Sequence, residues 1–227
     1  MSSGTDRLQT NDDQRLAAES APASDRLSTT VGRWLWISGY QGLAQVFLLS
    51  APVLWLVFRS PRAASFLKPA VLVLAVVTPL VVGAFREGHL SAGRPWPAIT
   101  SDRLSFAGGY WAVFRRGVLL NHTLGVATYG GAAVGLLVGS LSATIGVAVA
   151  LAFGGVALVP WLTPETTRAA IGRLCFAAAS LTLALFVGAP FAGDPRFRTA
   201  PAGFALLVGL SVIDLRPWAS LAALRRE

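Results

Sequence analysis

The stretch VLLNHTLGVATYGGAAVGLLVGSLSATIGVAVALAFGGVALVPWL, residues 118–162, decides the fold. It holds no Asp, Glu, Lys or Arg, and it forms two apolar blocks parted by residues 140–143. Runs of about 18 or more apolar residues are long enough to cross the hydrocarbon core of a bilayer. The spacing predicts two transmembrane helices, 118–139 and 144–162. A four-residue connection makes them a tight antiparallel hairpin.

Small residues recur along both. Gly131, Gly135 and Gly139 repeat every fourth position on the first helix, as do Gly146, Ala150 and Gly154 on the second. Such faces let helix backbones approach closely and gain dispersion contacts. The short loop assigns them to the seam of the hairpin. Contact between copies of the chain is the other use of such faces.

The same reading extends outward. Residues 34–58 form an apolar block of about 37 Å at 1.5 Å per residue, with Pro52 predicting a kink. Ser60 and Pro61 read as an N-cap and an N1 proline. They introduce a second span, 66–85, which Pro79 bends. Thr163, Pro164 and Glu165 form a second start signal, ahead of a span at 174–191. A shorter block, 199–215, closes the set. The fold class is therefore all-α, an integral membrane bundle of six transmembrane helices.

Between the second and third spans, residues 102–117 turn amphipathic. Leu104, Ala107, Trp111 and Phe114 recur at helical spacing, with Arg103, Arg115 and Arg116 elsewhere on the circumference. An interfacial helix is expected here. Its arginines either hold anionic lipid headgroups or dock the helix on the bundle. Residues 1–33 are too polar to offset the entropy of ordering and read as a disordered tail. Residues 216–227 form a basic tail.

Composition agrees with this class. Hydrophobic residues make up 54% and charged residues 13% of the chain, against about 25% charged in a soluble domain. The net charge of +8 does not point to nucleic acid, because the arginines flank apolar blocks and form no single patch. With six spans, Arg59, Arg62, Lys68, Arg196 and Arg198 fall on one side, and the remaining 14 of the 19 basic residues on the other. The positive-inside rule then puts both termini in the cytoplasm of a multi-pass cell-membrane protein. Trp34, Trp36, Trp55, Trp161 and Trp218 lie near helix ends, as an aromatic belt requires.

Catalytic signatures are missing from the sequence. It has no HExxH, GxxxxGK[ST] or GxSxG motif. Its two histidines and single Cys175 make no metal or haem ligand set, so no cofactor is expected. Asp214 is the sole carboxylate within the spans, beside Arg216, and a local pair or a cap-like role is expected of it rather than a proton relay.

One polar cluster stands out as a candidate binding site. Ser38, Gln41 and Gln45 share a face of the first helix, and Asn121 and His122 lie at similar depth on the third. Polar groups at such depth face the bundle or a watery cavity. Interhelical hydrogen bonds are one outcome; a cytoplasm-facing pocket with a titrating His122 is the other. The sequence leans away from an enzyme. It fits an accessory or scaffold subunit of a membrane complex, with a membrane-protein partner or a second copy of itself. The alternative is a small permease or channel for a neutral solute or lipid.

Overall fold

The computed structural model of the chain describes residues 46–97, 109–164, 166–193 and 195–215, together with Gly32 and Leu43. Among these the regular elements are all helical. They comprise α1 (Ala51–Phe58), α2 (Ala64–Arg86), α3 (Gly109–Val138), α4 (Leu141–Leu162), α5 (Thr167–Leu183) and α6 (Ala200–Leu215). A π-helical turn, Ala184–Gly188, extends α5, and a short 3-10 turn, Pro195–Phe197, precedes α6.

Three helical stretches are long and apolar enough to cross a membrane: Ala64–Arg86, Leu141–Leu162 and Thr167–Gly188. Large apolar side chains point outward on them and on their neighbours. Leu72, Val76, Leu137 and Phe186 are among the most exposed. A helix apolar around its whole circumference suits a lipid or protein surround better than water.

The central element is α3, which touches α1, α2, α4, α5 and α6 and packs most extensively on α4. Its buried side chains Leu120, Leu124, Ala127, Tyr129 and Ala132 meet Leu56, Leu67, Leu74, Ala148, Val156 and Leu207 in one core. The helix is continuous over 30 residues, so residues 109–117 belong to it. The described part of the expected interfacial helix thus runs into the third span without a break. Residues 102–108 and Arg103 lie outside the described residues, as do the two tails.

The hairpin turn is shorter than the four residues expected. Gly139 adopts φ +70°, the left-handed conformation that ends a helix. Ser140 then caps α4, its hydroxyl accepting from Ala143 N at 3.3 Å. The seam uses the anticipated face of α3 and a different face of α4. A Cβ on Gly131 would meet Thr144 O at 2.6 Å and Ala148 Cβ at 2.8 Å, and one on Gly135 would collide with Thr144 and Phe66. Across from them lie buried Thr144, Ala148, Ala152 and Gly155. Gly146 and Gly154 have nothing within 4 Å of an added Cβ, and Ala150 is exposed. The α4 helix is apolar on every side, so its composition leaves its rotation undetermined.

Two start signals resolve differently. Ala63, at φ +53°, precedes α2. Ser60 turns back, donating to Leu56 O at 2.8 Å and accepting from the Tyr129 hydroxyl at 2.9 Å. Thr163 closes α4 by donating to Val159 O, while Thr166 caps α5 by accepting from Ala169 N at 3.2 Å. The chain breaks at Ser50 (φ −102°, ψ 8°), just ahead of Pro52, where a kink was predicted.

Candidate functional site

Asn121 and His122 are neighbours in sequence and therefore about 100° apart around α3, so they address different helices. Asn121 turns to the first helical segment. Its Oδ1 accepts from Val53 N at 3.0 Å, and its Nδ2 donates to Leu49 O at 2.6 Å and to Gly117 O at 2.8 Å. His122 turns to α6, with Nε2 2.9 Å from Ser211 Oγ. The Ser211 hydroxyl proton is already used on Leu207 O at 2.7 Å. Nε2 must then be the protonated nitrogen, donating to Ser211. Nδ1 is left as a buried acceptor with no hydrogen-bond partner among the described residues. Ser38, Gln41 and Gln45, the other members of the predicted cluster, lie outside those residues.

The charged groups form a second cluster, one turn or two nearer the helix ends. Asp214 on α6 is 2% exposed. Its Oδ1 accepts from Arg115 Nε of α3 at 3.1 Å, and its Oδ2 lies 3.0 Å from Arg173 Nε of α5. The Arg173 contact is an ion pair off the hydrogen-bond axis, while the Arg115 contact is aligned. Both guanidiniums also reach the C-terminus of α4: Arg115 Nη1 donates to Thr163 O at 3.0 Å, and Arg173 Nη1 to Leu162 O at 2.8 Å and Pro164 O at 3.2 Å. The last carbonyls of a helix lack intrahelical donors and carry the negative end of its dipole. Four helices are thus tied at one end of the bundle. Arg216, the local partner expected from the sequence, lies outside the described residues; among those described, Asp214 meets cations from two other helices.

Arg116 is also buried. It donates to Pro97 O and lies 5.7 Å from the Trp96 ring centroid. Arg115 and Arg116, for which the sequence leaves open headgroup contact or docking on the bundle, both bond to groups within the fold.

This arrangement can hold helices in register and place fixed charge at one end. It does not align a nucleophile with a base. No three His, Cys, Asp or Glu side chains converge for a metal among the described residues. The Asp214 cluster was open to sequence reasoning. A lone carboxylate inside a span needs a cation at its own depth, and Arg115 and Arg173 stand at the margins of the apolar blocks.

The chain belongs to the family described as a domain of unknown function (DUF8215), whose model matches residues 28–166. That segment includes Arg115, Asn121 and His122 and stops short of Arg173, Ser211 and Asp214. No curated protein and no solved structure matches the chain.

Proposed function

We propose that this family member is a multi-pass protein of the cell membrane, with both termini in the cytoplasm, serving as an accessory or scaffold subunit of a membrane complex. The observation that carries the reading is the outer face of α4. Gly146, Ala150 and Gly154 follow small-xxx-small spacing; an added Cβ on either glycine meets nothing of the described chain within 4 Å, and Ala150 between them is exposed. In a membrane, helices associate through such faces by close packing. The polar side chains of the bundle, meanwhile, tie its own helices to one another. The test is disulfide cross-linking in native membranes, with cysteine at Ala150 in a Cys175→Ala background. A cross-linked product containing a second copy or a stoichiometric membrane protein is expected. A cysteine that reacts only with lipid-soluble maleimide would overturn the reading.

A second reading, a small permease for a neutral solute or lipid, has its own observation. His122 Nδ1 and the hydroxyls of Ser50, Thr78 and Thr128 are buried without a hydrogen-bond partner among the described residues. Buried polar atoms usually find protein or water. Water permeation of proteoliposomes above that of empty vesicles supports this reading; an unchanged rate removes it.

A further inference from the structure

The loop after α2 is folded back as a strap. Gly88 and Gly93 take φ +77° and +76°, conformations that favour glycine. Trp161 of α4 fastens the strap, donating from Nε1 to Ala92 O at 2.9 Å, while Arg94 lies over its ring at 4.1 Å from the centroid. Trp96 stacks on Phe85 with centroids 6.1 Å apart. Between strap and helix end is a cavity of about 570 Å³, its lining including Phe85, Arg86, Leu90, Ser91, Arg94 and Trp96.

Its chemistry is divided. Arg86 and Arg94 are exposed, and no carboxylate pairs with either among the described residues. Glu87 is adjacent in sequence but does not line the cavity. Arg116 adds positive charge behind Trp96. Ser91 Oγ accepts from Gly93 N at 3.2 Å, leaving its proton available to a ligand. The floor is aromatic and continues outward. Phe85 touches Phe153 at 5.7 Å between centroids, and Phe153, Leu158 and Trp161 are exposed along α4.

We propose that this cavity is a binding site for a phosphate-bearing anion, held between Arg86 and Arg94, with an anionic phospholipid as the amphiphile whose two ends match it. Arginine's planar fork suits phosphate oxygens. The apolar run from Phe85 to Phe153 and Trp161 suits an acyl chain. The acyl part rests on the membrane reading; the phosphate site does not.

The test uses the full chain in a neutral detergent. Thermal shift and native mass spectrometry are run with phosphatidylglycerol, phosphatidylcholine and inorganic phosphate. Stabilisation by phosphatidylglycerol but not phosphatidylcholine supports the site with lipid as its source. Stabilisation by inorganic phosphate alone supports it with a soluble source and separates it from the membrane reading. Arg86→Gln with Arg94→Gln is expected to weaken binding at least tenfold. Both side chains are exposed, so the variant should fold. Arg59→Gln with Arg62→Gln, removing equal charge elsewhere, is expected to leave binding unchanged. No stabilisation by either phosphate source, or equal losses in the two double variants, overturns the proposal.

Discussion

Asn121 stands in for a backbone hydrogen bond that Val53 has lost. In an unbroken helix the Val53 amide would donate to Leu49 O. Here the break at Ser50 parts them, and the Asn121 carboxamide accepts from one at 3.0 Å and donates to the other at 2.6 Å. The sequence fragment Ser50-Ala51-Pro52 opens the helix, and a side chain from α3 closes the hydrogen-bond circuit. The kink and the central helix are therefore one structural unit.

Asn121→Leu is expected to destabilise the protein strongly, because two buried backbone groups lose partners at about 1–3 kcal/mol each. Asn121→Asp keeps the acceptor for Val53 and loses the donor to Leu49, so an intermediate loss is expected. Melting of purified protein in detergent checks the order. Equal stability of Asn121→Leu and the parent would show that the kink needs no patch.

Asp214 is expected to be the most sensitive charged residue. Asp214→Asn removes the carboxylate charge that two buried guanidiniums share, and breaking a buried pair from one side costs about 3–5 kcal/mol. Arg115→Gln leaves Asp214 with Arg173 and should cost less. A double-mutant cycle of Arg115→Gln with Asp214→Asn, read by melting temperature, should show strong coupling. Because the cluster is buried, the coupling should persist in high salt. Additive losses would mean that the carboxylate and guanidinium act separately.

The two glycine faces predict opposite behaviour. Gly135→Leu drives a side chain into Thr144 and Phe66 and should lower the melting temperature far more than Leu136→Ala, whose side chain is 52% exposed. Gly146→Leu points into open space and should leave the melting temperature near that of the parent while reducing any cross-linked assembly. Similar melting losses for Gly135→Leu and Gly146→Leu would contradict the observed rotation of α4.

What the sequence discloses and what it hides follow from the same physics. Apolar blocks bounded by Gly, Pro and Arg mark where helices exist, and Pro52 marks the break. Rotation about the axis is another matter. On α4 nearly every position is apolar or small, so burial has no periodic signature, and Gly146 looked no different from Thr144 or Ala148. Thr163 ahead of Pro164 carries the sequence signature of a cap for α5, yet Thr166, three residues on, is the residue that caps it. Arginines next to a span have the same sequence appearance whether they face headgroups or enter the bundle. Arg115 and Arg116 enter it. Asp214 could have settled that question, since its burial requires cations at its own depth.

The orientation yields a labelling experiment. In a Cys175→Ala background, Cys at Arg196 should react with a membrane-impermeant maleimide added outside cells, and Cys at Arg168 should react only after permeabilisation. Arg168 lies in the first turn of α5, and Arg196 in the 3-10 turn that follows its extension. Reversed accessibility would invert the topology. Labelling of both from outside would remove a crossing between them.

His122 gives the sharpest chemical expectation. Ser211 spends its proton on Leu207 O, so it can only accept from His122 Nε2. The neutral ring should therefore hold its proton on Nε2, with Nδ1 bare. Nitrogen-15 NMR of histidine-labelled protein distinguishes the two tautomers, using His89→Gln to leave one signal. A protonated Nδ1 would overturn the assignment and require an acceptor beside that nitrogen. Removing the ring tests its use. His122→Leu forfeits the bond to Ser211, an interhelical contact worth about 0.6 kcal/mol on average, so a small loss of melting temperature is expected from the structural bond alone. If the bare Nδ1 instead receives a solute, His122→Leu folds properly and abolishes or flattens the pH response of transport in proteoliposomes. A variant that melts slightly lower and retains every measured activity assigns His122 to holding α3 against α6.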